Sequence, residues 1–350
     1  MPVVGDGQQR CKTEAWVKQN RREFLKLTSV AGIAISGGLG AQAEVKPAAN
    51  NRRGMARGLT LLTMRRKGEY RLGVKTNKGI LDVKEAAARL KMGAPATMDE
   101  LLQNEDGPRL NALVDAALKS NAVAHTFLKE EAVEYGPVVV QPEKIIGVGI
   151  NYRKHAKEVN LPIQKLPVLF NKYNCALNRH LGTIKLPVAV ATKFDYEVEL
   201  VIVMGKEARN VSETDALSYV AGYCTGNDFS ARDLQFDVCL MLGKTLNEFA
   251  PLGPYFVTAD QVDPDNLKIE CRVNGETRQS SNTNDMIYGS RQLVSYISRY
   301  VTLRPGDIIF TGTPEGVILG RPKDKQVWLK AGDKLACSVE KLGELKFELV

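Results

Sequence analysis

Glu197 and Glu199 stand two positions apart inside FDYEVELVIVM (Phe194 to Met204), a run that otherwise reads as a buried β-strand. Strand side chains alternate between faces, so both carboxylates point the same way, in one row with Val201 and Val203. Ionised together on a partly apolar surface they cost on the order of several kcal/mol, and a divalent cation between them removes both the repulsion and the unpaired charge. Asp228 ends GYCTGND, a strand-like segment that stops just before SARDLQF, and a strand end delivers a side chain to a cleft. It is the natural third ligand. Three carboxylates without His or Cys form an all-oxygen set that suits magnesium or manganese, with calcium as an alternative, rather than zinc. Taken singly, Asp228 reads equally as the cap of the helix that follows, and the glutamates as partners of lysines.

His155 and Glu158 lie three apart in NYRKHAKEVN, on one face of a helical turn. A carboxylate beside an imidazole fixes its tautomer and tunes its basicity, which prepares a general base. An incidental polar pair on a surface helix is the competing reading. Lys244, Lys172, Arg232 and Gln235 are candidates to bind an anionic substrate, or else solvated surface. Arg232 and Gln235 follow Asp228 by one helical turn and about two. TGTPEG (Thr311 to Gly316) offers hydroxyls and turn amides to a carboxylate, unless it is a plain Pro-Gly turn. His180 has no comparable partner and reads as structural or exposed.

The elements that must position these groups fall into two stretches. GLTLLTMR, YRLGVKT and GILDV read as short strands separated by KGE and NKG turns, and VKEAAARL, MDELLQ and PRLNALVDAALKS as helices, with Thr97 and Asp106 placed like caps. From PEKIIGVGINY onward strand signals dominate, including the Asn274-Gly275 hairpin turn. Ser230 to Asp237 and Arg291 to Tyr300 are the clearest helices. The ratio predicts an α+β, β-rich fold with a twisted, partly closed β-core rather than a doubly wound sheet.

A chain of 350 residues, 44% hydrophobic, supports a well-buried core. The net charge of +8 is spread along the sequence, so nucleic acid is not an implied partner. No P-loop, strand-borne G-x-G-x-x-G, G-x-S-x-G or H-E-x-x-H is present, which disfavours nicotinamide and serine-hydrolase chemistry. The six cysteines show no C-x-x-C spacing. At the N-terminus NRREFLK precedes a small-residue stretch ending in Ala41-Gln42-Ala43, the layout of a twin-arginine export signal over residues 1–43, followed by a linker over 44–54. This predicts a periplasmic protein without a stable membrane anchor, or a cytoplasmic one if the signal is not used.

IIGVGINYRKHAKE, LFNKY, DYEVELVIVMGK, GYCTGNDFSARDLQ, GKTLNEFAPLGP, NDMIYGSRQLVSYIS and LRPGDIIFTGTPEGV together resemble the fumarylacetoacetate hydrolase superfamily, in family order. The resemblance implies a mixed β-roll catalytic domain over 141–350, a small N-terminal α+β domain over 55–140, and a homodimer. It implies Mg2+, Mn2+ or Ca2+ on Glu197, Glu199 and Asp228, and a His155–Glu158 dyad on a mobile lid. Lys244 matches the lysine facing the reacting carbonyl, and Arg232, Gln235, Lys172 and Thr313 match contacts to substrate oxygens. Many relatives carry a proline where Tyr173 stands. The expected activity is metal-dependent cleavage of a carbon–carbon bond in a 2-oxo or β-diketo acid of acylpyruvate or fumarylpyruvate type. The alternatives are a decarboxylase, isomerase or hydratase of an oxaloacetate-like or sugar-derived 2-oxo acid, and an exported binding protein without catalysis.

Overall fold

Turn chemistry sets the first elements. Lys67 and Gly68 hold φ of 53° and 82°, the paired positive values of a tight hairpin, between strands β1 (Thr60–Arg66) and β2 (Glu69–Thr76). Strand β3 (Gly79–Asp82) pairs antiparallel to β2, and helices α1 (Val83–Leu90), α2 (Met98–Gln103) and α3 (Gly107–Lys119) follow. Asp82 caps α1 and Thr97 caps α2, accepting the amides of Glu85 and Glu100 at 3.1 Å each. Asp106 does not cap α3, contrary to expectation. Its backbone ψ of 22° is not the extended cap conformation, and its carboxylate turns to Arg109 at 3.3 Å instead. The structure is a computed structural model that describes residues 53–350. The segment read as an export signal and most of the linker lie outside the described residues.

In chain order come β4 (Ile145–Gly149), α4 (Arg153–Glu158), β5 (Val168–Lys172), β6 (Val198–Met204), β7 (Val220–Asn227), α5 (Arg232–Asp237), α6 (Leu240–Lys244), β8 (Phe256–Thr258), β9 (Lys268–Val273), β10 (Glu276–Asn282), α7 (Ser290–Tyr300), β11 (Ile308–Phe310), β12 (Lys334–Val339) and β13 (Glu344–Leu349). Among the described residues a thirteen-stranded mixed sheet runs through β3, β2, β1, β8, β7, β6, β11, β4 and β5, with β11 and β4 parallel. Because β1 pairs with β8, the first three strands extend the sheet that carries the site. A five-stranded sheet of β10, β9, β12, β13 and Gly182–Ile184 lies apart from it in the hydrogen-bond ladder, with Asn274 and Gly275 forming the positive-φ turn between β9 and β10. This is the expected strand-rich α+β fold.

Strand β6 is buried on both faces. Val198, Leu200, Ile202 and Met204 pack in one core with Ile269, Cys271 and Cys337 of the smaller sheet, while Val201 and Val203 pack in another with Leu110, Leu113 and Val139. Full burial of such side chains contributes about 1.5–3 kcal/mol each, which fixes the register of the strand firmly. The predicted run from Phe194 is nonetheless broken. Phe194–Asp195 pairs separately with Ser230–Ala231, and Tyr196 and Glu197 leave the ladder. Side chains supply the missing acceptors: Asp195 takes the Tyr196 amide at 2.9 Å and Asn227 takes the Glu197 amide at 3.3 Å.

Candidate active site

The register of β6 against β7 sets Val198 opposite Asn227 and Glu199 opposite Gly226, so Asp228 emerges beside Glu197. The Asp228 amide donates to the Glu197 carbonyl at 2.9 Å and closes the corner. Glu197, Glu199 and Asp228 are 6%, 1% and 0% exposed, and one carboxylate oxygen of each lies within 4.8 Å of the others. Oxygens around one hard cation at bond lengths of about 2.1–2.6 Å stand about 3–5 Å apart, so the donor set fits Mg2+, Mn2+ or Ca2+. Asp228 is not a helix cap. Its two oxygens accept from Lys172 and, at 2.8 Å, from Lys244.

The three carboxylates are not equally compensated. Glu197 accepts from Lys244 at 2.7 Å and lies 2.7 Å from the Arg232 Nη2. Burial alone would raise its pKa, but Lys244 and Arg232 outweigh burial and hold it down to about 2. Burial likewise works against the Lys244 charge, and Asp228 with Glu197 outweighs it, so the ammonium is retained. Glu199 has only the Gly312 amide, at 2.7 Å, and no cation within ion-pair distance among the described residues. Burial, then Asp228 and Glu197, push its pKa well above the carboxylate range. A divalent ion held by the three carboxylates would supply the positive charge that Glu199 lacks.

A cavity of about 660 Å³ opens at Glu197, lined also by Lys244, Arg232, Gln235 and Thr313 and by His155 and Glu158. The strand-to-helix bend at β4 and α4 delivers the pair. His155 Nδ1 lies 3.1 Å from Glu158 Oε2, and Glu158 Oε1 accepts the Gly316 amide at 2.9 Å. Gly320 packs so closely on the Glu158 carboxylate that a Cβ there would stand 2.3 Å from it. The imidazole is therefore oriented through Nδ1, with Nε2 left for chemistry. The TGTPEG segment supplies amides to both ends of the site, at Gly312 for Glu199 and at Gly316 for Glu158.

Residues 144–350 match the model of the fumarylacetoacetate (FAA) hydrolase C-terminal family. The chain belongs to the fumarylacetoacetate hydrolase family. It is 44% identical over 253 residues to the mitochondrial oxaloacetate tautomerase FAHD2A of Bos taurus, covering 71% of this chain and 78% of the relative. The fumarylacetoacetate hydrolase structure from Exiguobacterium antarcticum superposes with a TM-score of 0.69 at 30% identity, over 83% of this chain and 99% of that one. The fumarylpyruvate hydrolase from Pseudomonas aeruginosa, in complex with Mn2+ and pyruvate, superposes with a TM-score of 0.55 at 33% identity, over 60% and 91%. These relatives correct one expectation. A mitochondrial relative at 44% identity does not fit a periplasmic destination. Organellar leaders are themselves Arg- and Ser-rich, so a paired arginine before small residues does not single out export.

Family membership leaves particular residues to be placed. Lys172 does not reach the cavity. Its side chain is wholly buried and donates to Asp228 and to the Lys244 carbonyl, so it orients those two residues. Burial and the nearby Lys244 charge lower its pKa despite Asp228. The Tyr173 amide donates to Thr245 Oγ1 at 2.6 Å, a bond that a proline at this position could not make. Thr313 lines the cavity, but its hydroxyl donates to the Val198 carbonyl at 2.9 Å and accepts from Gln279. Three residues escaped the sequence reading. Asp195 accepts from Arg232 Nε at 2.9 Å and from the amides of Ile318 and Leu319 at 2.9 and 3.0 Å. Asn227 and Gln279 hold the amides of Glu197 and Val198 at 3.3 and 3.0 Å. Asp195 sits two positions before Glu197, inside the acidic run DYEVE, the one signal that pointed to it.

Proposed function

We propose that this chain performs enolate chemistry on a small 2-oxo dicarboxylic acid of the oxaloacetate type, interconverting keto and enol forms and releasing carbon dioxide from the β-carboxylate. Glu197, Glu199 and Asp228 would hold Mg2+ or Mn2+, and such a cation supplies a Lewis acid that polarises a carbonyl oxygen where negative charge develops. The observation that carries the reading is the Glu197–Glu199–Asp228 cluster, in which Glu199 meets no cation, reaching through Glu197 a cavity that the His155–Glu158 pair also lines. Arg232 and Gln235 bind and orient the substrate carboxylate, since both line the cavity and are joined at 3.0 Å. Lys244 presents an ammonium to the developing oxyanion.

His155, oriented by Glu158, takes a proton at Nε2 from the carbon next to the oxo group and returns it to the oxygen. The C–H electron pair becomes the carbon–carbon double bond of the enol. In decarboxylation the bond to the departing carboxylate supplies the same pair, carbon dioxide leaves, and His155, protonated from water, delivers that proton to carbon. Identity of 44% to a tautomerase, against 33% to a carbon–carbon hydrolase, favours this reading. Hydrolysis of a fumarylpyruvate-type acid is the second reading, favoured by the neighbour that carries Mn2+ and pyruvate. Incubating the Mn2+-loaded protein with oxaloacetate, while following the enol absorbance and pyruvate release, tests the first against cleavage of fumarylpyruvate. Turnover of fumarylpyruvate alone would transfer the conclusion to the second.

A further inference from the structure

We infer that Cys271 and Cys337 form a reversible cross-strand disulfide whose closure weakens cation binding at Glu197. The second half of the inference rests on the metal reading of the triad, and the first stands without it. Cys271 lies on β9 and Cys337 on β12, interior strands of the five-stranded sheet, and the two residues face each other in register. At the two ends of that ladder the Glu340 amide donates to the Lys268 carbonyl and the Asn274 amide to the Lys334 carbonyl, each at 2.8 Å. Antiparallel pairs alternate between bonded and non-bonded, so counting inward from either end makes Cys271 and Cys337 a non-hydrogen-bonded pair. Such pairs hold their Cα atoms about 4.5 Å apart, inside the span of about 4.4–6.8 Å that a disulfide bridges. The sulfurs already stand 3.6 Å apart.

One side chain joins this pair to the site. Asn227, at the end of β7, donates from Nδ2 to Cys337 Sγ at 3.3 Å, the one partner of that group among the described residues, and its Oδ1 accepts the Glu197 amide at 3.3 Å. All three side chains are wholly buried. A disulfide brings its sulfurs to about 2.05 Å, so the two must approach by about 1.5 Å. That shift disturbs the Asn227 contact, and Asn227 then fixes the backbone of a metal ligand less firmly. Burial excludes a protein oxidant and pushes the Cys271 thiol up, so the reaction needs a small peroxide and local opening of the sheet, and it is slow. With hydrogen peroxide it balances. One sulfur attacks a peroxide oxygen, the O–O bond breaks, and the departing hydroxide takes the thiol proton as water. The second thiol then displaces the hydroxyl of the sulfenic acid, its proton leaving with that hydroxyl as a second water, and the S–S bond forms.

The test treats the metal-free full chain with hydrogen peroxide over hours, removes the peroxide with catalase, and reads the bond and the metal site separately. Tryptic mass spectrometry should find the peptides IECR and LACSVEK joined, lighter by two hydrogens than their sum. Calorimetry should find the Mn2+ Kd raised by about tenfold, and dithiothreitol should restore it. Cys271→Ser, which keeps Cys337 beside Asn227, should show neither change. Absence of the joined peptide would overturn the disulfide, and its presence with an unchanged Kd would overturn the coupling. A rise in Kd that Cys271→Ser shares, or that dithiothreitol does not reverse, would assign the loss to other oxidised groups and also overturn the coupling. Reduced protein that binds no Mn2+ would overturn the metal reading of the triad, and the coupling with it, while the joined peptide still decides whether the bond forms. Reversal in the wild type decides the matter even if the variant fails to fold.

Discussion

Replacing Glu199 by Gln should stabilise the metal-free protein, the reverse of what removing a buried, hydrogen-bonded side chain normally does. In the folded chain without metal, burial, then Asp228 and Glu197, raise the Glu199 pKa well above the ordinary 4.5 that the unfolded chain keeps. Each pH unit above the unfolded value at which the folded carboxyl keeps its proton costs about 1.4 kcal/mol. Gln keeps the shape and the acceptor for the Gly312 amide and turns its NH2 toward the neighbouring carboxylates. The folded pKa is the raised one, so the cost is absent below about 4.5 and grows as pH rises toward the folded value. Urea denaturation in EDTA should therefore show Glu199→Gln more stable than wild type at pH 7, by about 1 kcal/mol or more, with the gap closing as pH falls to about 4.5. With Mn2+ at a hundredfold over its Kd the wild type should gain about 2.7 kcal/mol and the variant nothing. A variant less stable than wild type by about 1 kcal/mol in EDTA would mean that Glu199 is ionised and paired without metal, and the electrostatic case for the site would fail.

Three further outcomes follow from the same contacts. Asp195→Asn leaves the buried Arg232 guanidinium with Glu197 alone and places an NH2 against donors, so it should cost about 3–5 kcal/mol in urea denaturation, and a loss under about 1 kcal/mol would contradict the hub role of Asp195. His180 accepts the Lys346 amide at 3.1 Å, and burial, then the Lys346 charge, bring its pKa down to about 4 from 6.5. Its contribution is complete above about pH 6.5 and is lost as pH falls toward 4, by about 1–2 kcal/mol once part exposure is discounted. His180→Gln should flatten stability over that window, and parallel curves would refute the cause. His155→Asn should lower kcat on oxaloacetate by about a hundredfold or more with Mn2+ affinity nearly unchanged, and a wild-type rate would remove the dyad from the chemistry.

The carboxylate triad was legible because two glutamates in an apolar strand are an anomaly that needs nothing beyond strand alternation. Asp228, His155 and Glu158 were legible as strand-end and helix-turn residues; Lys172 and Lys244 on Asp228 replace the expected cap contact, and the lysine pairing weighed for the glutamates is present at Glu197. What the sequence hid lies behind the cavity wall. Lys172 reads like any cationic substrate ligand until its burial shows it bonded to Asp228. Asn227 and Gln279 are ordinary strand residues in the sequence, and they matter because they replace ladder bonds where β6 gives way to Glu197. The first strands and helices were placed closely by turn and cap chemistry, with Asp106 the exception, because cap choice depends on a backbone angle that residue type does not fix. The joining of β1 to β8 is a long-range pairing that no local pattern encodes.

The most direct measurement of the central claim is a Mn2+ titration of EDTA-stripped protein, counting bound metal per chain while following oxaloacetate turnover in the same samples. Stripped protein should be inactive, and activity should return in proportion to a single Mn2+ bound per chain, with Glu199→Gln neither binding nor recovering. Full turnover by protein carrying no metal would contradict a site built on Glu197, Glu199 and Asp228.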